Sequence, residues 1–343
     1  MSADTPEGRR KLFASRLSKA GVRQAIISNP KHVFYFTGLS SNLNLYRAAG
    51  KGQRSTSFVA IGSEGEFSML VGRSEAALLG LKEGAEGISQ YTDYDLDVTM
   101  LSYAPDVASA MKKWLQDVLI VGGAPAQGAV GIEDWHLADI YRQTISAASG
   151  QNAPMGISTE IMEMRRTKGK DELEKIRLAS RMLDYSYGFA KDAAKTGRTE
   201  LELFGELNKA CLEKFGELGL VGGDIVSGER TLAIGGAASK RKLKRGDTVL
   251  LDLQTISDNY WSDTARTFVV GRPSAAQKKS LETIVAAKEM AAKMLRPGAS
   301  TAEVADAIDA FLVKAGHAPL SHHAGHALGL EDQERPWLIR GSK

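Results

Sequence analysis

Residues 248–270 read TVLLDLQTISDNYWSDTARTFVV. Two runs rich in β-branched and aromatic residues, Thr248–Ile256 and Tyr260–Val270, flank Ser-Asp-Asn. That pattern predicts a β-hairpin turning at Asp258-Asn259. In this register Ser257 faces Tyr260 and Gln254 faces Asp263. Asp252 is then the diagonal neighbour of Asp263 on the same face, roughly 7–8 Å away between Cα atoms. Asp252 also lies inside VLLDL, a continuous apolar run expected to be buried. A lone buried carboxylate is costly or neutralises itself. Two of them on one face repel unless a metal or a shared proton intervenes. Hard oxygen donors suit manganese, and zinc, cobalt or iron when a histidine joins them. Asp263 alone would more readily pair with Arg266 or a nearby threonine; the two aspartates together favour a metal.

Around this hairpin the chain repeats itself. Gly197-Arg-Thr199-Glu-Leu-Glu202 opens one helix and Gly298-Ala-Ser300-Thr-Ala-Glu303 opens another. Each has the spacing of a capping box, the hydroxyl accepting from the amide three residues on and the glutamate reaching back. They end alike, in LEKFG (Leu212–Gly216) and LVKAG (Leu312–Gly316), and each comes after another long helix. A duplication of helix, glycine turn and capped helix is the better reading of that order. The first copy runs on into the hairpin; the second should supply a hairpin as well, and the expectation is that the sequence stops at Lys343 before one is completed.

Upstream, short apolar strands at Gln24–Ser28, Phe58–Ile61, Phe67–Leu70, Val118–Val121 and Val130–Ile132 alternate with helices at Glu7–Ala20, Ser74–Leu81, Val107–Gln116 and Asp134–Ala147. This predicts an α/β layer. Asn29-Pro30 is read as a strand breaker. The glycine-rich stretch after Val121 has neither GxGxxG nor GxxxxGK and is read as a surface loop. At Met162–Lys170 (MEMRRTKGK) a basic segment leads into a long helix, Asp171–Lys195. The domain boundary is placed there, giving residues 1–162 and 163–343.

The 343 residues are long enough for two cores. Forty-four basic against 41 acidic residues leave a net charge of +3, which gives no reason to expect nucleic acid or an anionic membrane as partner. No apolar run approaches the length of a membrane span. The opening MSADTPEGRRKLF lacks an apolar stretch behind its basic residues, unlike a secretory signal. The one cysteine, Cys211, has no intrachain partner for a disulfide. A cytoplasmic location is expected.

Four of the six histidines fall between His317 and His326, and Ser321–Leu330 reads SHHAGHALGL. Gly325 and Gly329 make a helix poor there, so an extended or looped segment is expected. Asp252, Asp263, the subsequent ARTF, and HHAGHALGL with QERP at Gln333–Pro336 resemble the methionine aminopeptidase, prolidase and creatinase superfamily. The first half, including NPKHVFYFTGL at Asn29–Leu39, is similar to the creatinase/prolidase N-terminal domain. The fold implied is α+β: a pita-bread catalytic domain of duplicated halves, the second incomplete, behind an α/β N-terminal domain.

The resemblance further implies a dinuclear metal centre, usually manganese or cobalt, whose bridging water attacks a peptide carbonyl, commonly Xaa-Pro. By motif, Asp252, Asp263 and His326 match metal ligands and His322 a substrate-pocket histidine. Gln333 stands where the pattern has a substrate-contacting histidine, with the matching Glu334 and Pro336 after it. Gly235 stands where a second such histidine is ordinary. The two glutamate ligands of the pattern have no counterpart after Glu334. Three ligands could hold one ion weakly, so this chain is expected to be weakly active or inactive. The expected metal is Mn2+, with Co2+ or Zn2+ as substitutes. The expected partner is a proline-containing peptide or a small amide, and the expected assembly a homodimer. Two other readings are a creatinase-like hydrolase of a non-peptide amide and a non-catalytic binding module. Gly235 counts against the first, while the retained Asp252, Asp263 and His326 count against the second.

Overall fold

The computed structural model describes residues 3–39, 57–91, 103–121, 124–125, 128–135, 139–150, 153–216, 221–233 and 235–341. They fall into two compact units, Met1–Asp171 and Glu172–Lys343.

The first unit opens with α1 (Pro6–Lys19), started by Thr5, whose hydroxyl accepts from the Gly8 amide, and by Pro6 in the first turn. Then come β1 (Val22–Ile27), α2 (Pro30–Thr37), β2 (Phe58–Gly62), β3 (Phe67–Gly72), α3 (Arg73–Leu78) and β4 (Ile88–Tyr91). Next are α4 (Tyr103–Leu119), the two-residue pair β5 (Ile120–Val121) and β6 (Ala124–Pro125), β7 (Ala129–Ile132), α5 (Asp139–Ser149), β8 (Met155–Gly156) and α6 (Ser158–Arg165). Six strands form one mixed sheet in the order β4-β3-β2-β1-β7-β8. Its core collects Ile26, Phe58, Leu70, Trp114, Leu115 and Ile132.

Two expectations change here. Asn29-Pro30 ends β1 by starting a helix: the Asn29 side chain accepts from the Lys31 amide and Pro30 occupies the first turn of α2. The breaker is also a cap, because a missing N–H costs nothing at a helix start. Val118 and Leu119 belong to α4, leaving only Ile120–Val121 extended; the amphipathic pattern of α4 runs further than the β-branched residues suggested. Of the glycine-rich stretch, residues 122–123 and 126–127 lie outside the described residues.

In the second unit the duplication is visible. The long helix α7 (Lys170–Ala193) and α8 (Glu200–Phe215) lead into β9 (Gly222–Ser227), a 3-10 turn at Gly228–Leu232, β10 (Thr248–Ser257) and β11 (Tyr260–Val269). Then α9 (Ala275–Met294) and α10 (Thr301–Lys314) lead into β12 (Gly325–Ala327) and β13 (Glu334–Leu338). The first capped helix carries the full capping box, with Thr199 and Glu202 bonded in both directions. The second carries the forward bond, Glu303 N–H to Ser300 Oγ. The three-stranded sheet has the order β11-β10-β9, and β12 pairs with β13.

β10 buries every second residue. Val249, Leu251 and Leu253 pack on Met182, Leu203, Leu207 and Cys211 from α7 and α8. The reading of VLLDL as wholly buried is therefore corrected: the run alternates, and Asp252 lies on the half-buried face opposite the core. A sheet packed on one side only needs just one apolar face.

Candidate metal centre

The hairpin forms as its sequence predicts. Asp258 and Asn259 both have positive φ, 44° and 68°, as a two-residue primed turn requires. Ser257 pairs with Tyr260 and Gln254 with Asp263. Asp252 lies opposite Ala265, one diagonal step from Asp263. Gln254 Nε2 donates to Asp263 Oδ2 at 3.4 Å.

The histidine segment comes to the same place from the far repeat. His326 lies on β12, opposite Trp337 of β13. Just beyond it the Trp261 amide of β11 donates to the Gly329 carbonyl at 2.8 Å, joining this segment to the hairpin. His326 Nδ1 lies 2.9 Å from its neighbour's carbonyl oxygen, Ala327 O. A proton there leaves the lone pair on Nε2, which lies 3.6 Å from Asp263 Oδ2. Asp263 and His326 are both largely buried, with side chains 7% and 11% exposed.

Around His326 the aromatic rings crowd. His323 lies 5.3 Å from it and 4.8 Å from Trp337, and His322 lies 5.0 Å from His323. The His323 Nδ1 is buried without a hydrogen-bond partner. Burial, with the neighbouring His322 and His326, pushes the His323 pKa down. His322 is exposed.

The electrostatics are those of acids crowded together. Burial, reinforced by the Asp252 charge, pushes the Asp263 carboxyl up to about 6. Burial and then Asp224 push Asp252 upward, against the pull of the histidines. Asp224 carries no signal in the sequence pattern. It stands directly opposite Asp252 on β9, a strand whose glycines hid it. Gly223 there has φ 112°, and a Cβ on it would collide with the Asp252 carbonyl oxygen. Asp224, Asp252 and Asp263 thus occupy one face of three adjacent strands.

Gln333 and Glu334 do not join this group. The Gln333 side chain is exposed, and its amide donates to Asp332 Oδ1 at 3.1 Å. Glu334 is buried, and its Oε1 accepts from the Glu331 amide at 3.2 Å, closing the loop between β12 and β13. Gly235 has φ 78°, and a Cβ there would run into Asp224 Oδ2.

Hard carboxylate oxygens and an oriented imidazole lone pair suit a divalent ion in donor type and charge. Among the described residues, however, no three His, Cys, Asp or Glu side chains are placed closely enough to hold one. The fit is one of chemistry and electrostatics rather than of finished coordination. No helix among the described residues is long and apolar enough to cross a membrane.

Residues 174–343 match the profile of metallopeptidase family M24, and residues 9–167 that of the creatinase/prolidase N-terminal domain. The chain is 31% identical over 182 residues to a Xaa-Pro dipeptidase of Pyrococcus furiosus, covering 52% of each protein. It is 26% identical over 226 residues to a probable dipeptidase PepE of Mycobacterium tuberculosis, covering 65% of this chain and 59% of that one. These matches span between half and three fifths of the relatives' length. Among solved structures, a prolidase from Pyrococcus horikoshii superposes with TM-score 0.75 at 20% identity, over 99% of this chain and 86% of that one. An X-Pro aminopeptidase from Thermotoga maritima gives 0.75 at 21% identity, over 96% and 84%. These likenesses show the fold: α+β, with duplicated pita-bread halves behind an α/β N-terminal domain.

Proposed function

This chain belongs to metallopeptidase family M24, with a creatinase/prolidase N-terminal domain ahead of the family domain, and on that premise we propose that it is a metal-dependent hydrolase of the Xaa-Pro dipeptidase or aminopeptidase type. The observation that carries the reading is the approach of His326 to Asp263 from two halves of the unit, Nε2 3.6 Å from Oδ2, with Asp252 on the same sheet face as Asp263.

In this reading Asp252, Asp263 and His326 hold one divalent ion, manganese in preference to cobalt or zinc. Such an ion, when bound, lowers the pKa of its water and polarises a carbonyl. The chain's own groups prepare that site. The Ala327 carbonyl fixes the His326 ring with Nε2 toward the acids. Gln254 steadies the Asp263 carboxylate from the same sheet face. Burial raises the pKa of both acids, so their ionised forms are uncompensated by the chain's own groups and a cation beside them is favoured. His322, exposed beside the cluster, is assigned in this reading to a peptide substrate, the proline-containing class being the one proposed. Gln333 can donate a hydrogen bond but carries no proton at neutral pH. With an exposed Gln333 and no imidazole at 235, slow hydrolysis is expected. A homodimer is also proposed.

One observation favours a second reading, a binding module without turnover: no three donors converge as placed. Manganese titration of the metal-free chain, with a subsequent assay on a Xaa-Pro dipeptide, separates the two. Saturable binding lost in Asp263→Asn, with slow hydrolysis, supports the hydrolase. Binding without any turnover supports the module. No binding at all removes the metal centre.

A further inference from the structure

The small net charge hides a local excess of bases. Ser239–Asp247 reads SKRKLKRGD, five cations in six residues just ahead of β10. This segment lies against the turn between α7 and α8. The Leu201 and Glu200 amides donate to the Ser239 and Arg241 carbonyls at 3.0 and 3.1 Å. The Leu243 amide donates to Arg198 O at 2.7 Å, and the Gly197 amide to Leu243 O at 2.8 Å. Thr199 and Lys242 form an isolated β-bridge there. Exposure alternates along the segment as it does along a strand. Leu243 is 1% exposed and packs in the core of the second unit, and the Arg241 side chain is largely buried. Lys240, Lys242 and Lys244 are exposed. A period of two puts the three lysines on one face, roughly 6.6 Å apart.

The inward and outward cations differ in their partners. Arg241 is neutralised: its guanidinium meets Asp247 at 2.6 Å and Glu229 at 2.8 Å, and donates to Ser227 Oγ at 2.8 Å. The side chains of Lys240, Lys242 and Lys244 have no ion pair or hydrogen bond among the described residues. Where the segment ends, Lys195 in the turn it is pinned to, Arg245, and Arg272 beside the Gly246-to-Val270 bond of 2.8 Å add further exposed cations. The carboxylates nearby are committed elsewhere, Glu202 to the Thr199 amide, Glu206 to Arg198, and Glu229 with Asp247 to Arg241. Glu202 and Glu229 feel the charges of Lys242 and Lys244, but their oxygens are spent on those other partners. The outward face of the segment is therefore a positive ridge.

We propose that the ridge of Lys240, Lys242 and Lys244 docks an extended acidic peptide segment of a partner protein. Alternate side chains of an extended chain also recur every roughly 6.6 Å on one face. Glutamates or aspartates at every second position would therefore meet the lysines in register. Ser239–Asp247 contains no aromatic side chain on which a base could stack. Its outward row is lysine, a point charge without the planar fork that grips a phosphate in two places. Both observations favour carboxylates over a nucleic acid. The segment's one large apolar residue, Leu243, is buried, which leaves a membrane no anchor within it. The ridge is also ordered in advance. The fully buried Glu200 accepts from the amide and hydroxyl of Ser239 at 3.0 and 2.7 Å, and Leu243 is locked in the core, so docking orders little of this chain. This surface goes beyond the hydrolase reading and does not depend on it.

The test titrates the full chain into a fluorescent peptide of alternating glutamate and serine, read by anisotropy. A peptide of the same composition with its glutamates in one block runs beside it. The alternating peptide is expected to bind more tightly than the block, and to weaken as salt is added. Lys240→Ser, Lys242→Ser and Lys244→Ser combined should weaken it at least about tenfold, since each exposed pair is worth up to about fivefold. A matched variant, Lys288→Ser, Lys293→Ser and Lys314→Ser combined, removes the same charge from exposed positions on α9 and α10. It should leave the affinity within about twofold, because distant exposed charges are screened. All six lysines are exposed, so both variants keep the fold. Equal losses in the two variants would mean attraction by net charge alone, and the inference falls. It falls too if the block peptide binds as well as the alternating one, or if the wild type binds neither. Duplex DNA or phosphatidylserine vesicles held more tightly than the alternating peptide by the same lysines would likewise overturn it.

Discussion

Two buried carboxylates, one in each unit, show opposite solutions to the same problem. Glu133 comes directly after β7 in the first unit and is 1% exposed. One of its oxygens accepts from the amides of Ser28 and Asn29, at 2.5 and 2.6 Å, and the other meets His32 Nδ1. Arg165 lies behind that ring, Nη1 2.6 Å from His32 Nε2. Burial pushes Glu133 upward, but His32 and the two amides outweigh it, and the carboxyl ends below its ordinary range. Asp263 is almost as buried, yet it has a long bond from Gln254, an imidazole at 3.6 Å and an acid for a neighbour. Burial and Asp252 push it up to about 6. The first acid is finished as folded; the second is arranged for something the chain does not itself supply. Depth of burial is the same kind of fact in both, so it is the partners that separate a structural acid from a functional one.

The largest expected effect comes from breaking the finished case. Glu133→Ala leaves the His32 ring and the Ser28 and Asn29 amides without their common acceptor, and should cost about 3–5 kcal/mol of first-unit stability. Chemical denaturation monitored by Trp114 and Trp135 fluorescence measures it; a loss under about 1 kcal/mol would mean that the network is incidental. Asp263→Asn should act in the other direction. Its raised folded pKa means that the folded chain holds the proton more tightly than the unfolded one. The native state therefore loses stability as pH rises from about 4 through 6, by about 3 kcal/mol at most. Asparagine abolishes that loss, so metal-free Asp263→Asn should gain stability above about pH 6 and gain nothing near pH 4. Melting curves across that range read the slope directly. A variant destabilised at every pH would show that Asp263 is paired after all.

How far the sequence disclosed these two cases depends on the distance each inference had to span. The hairpin is local: a positive-φ turn at Asp258-Asn259 fixes the register, and the register puts Asp252 and Asp263 on one face. The capped helices were equally legible, because Thr199 with Glu202 is a three-residue pattern. His326 was reached through motif resemblance, since nothing local says that β12 will be joined to β11 at Gly329 and Trp261. Asp224 was missed for a physical reason. Its strand begins Gly222-Gly223, a poor β-former by composition, and is extended because β10 lies beside it. Glu133 was invisible in the same way, its partners Ser28, Asn29 and His32 lying far upstream in the sequence. Asn29-Pro30 was legible as punctuation, but whether punctuation ends a strand or starts a helix depends on the residues downstream, here the buried Val33–Phe36.

The smallest expected effect sharpens the comparison most finely. Among the described residues, Gln254 is the one neutral side chain bonded to Asp263 on its own sheet face, and its donated bond of 3.4 Å is long. It opposes both burial and the Asp252 charge, lowering the pKa that they raise. Gln254→Ala should therefore move the Asp263 midpoint up from about 6 by a few tenths, worth about 0.5 kcal/mol or less. Carboxyl chemical shifts recorded through a pH titration resolve a change of that size. Asp252 should rise less, because its largest neighbouring charge is Asp224, on the opposite side from Gln254's bond. If the Asp263 midpoint instead falls when Gln254 is removed, water admitted to the face outweighs the lost donor. The Asp263 pKa would then be held up by dryness rather than by poverty of partners, and the contrast with Glu133 would be one of solvent access.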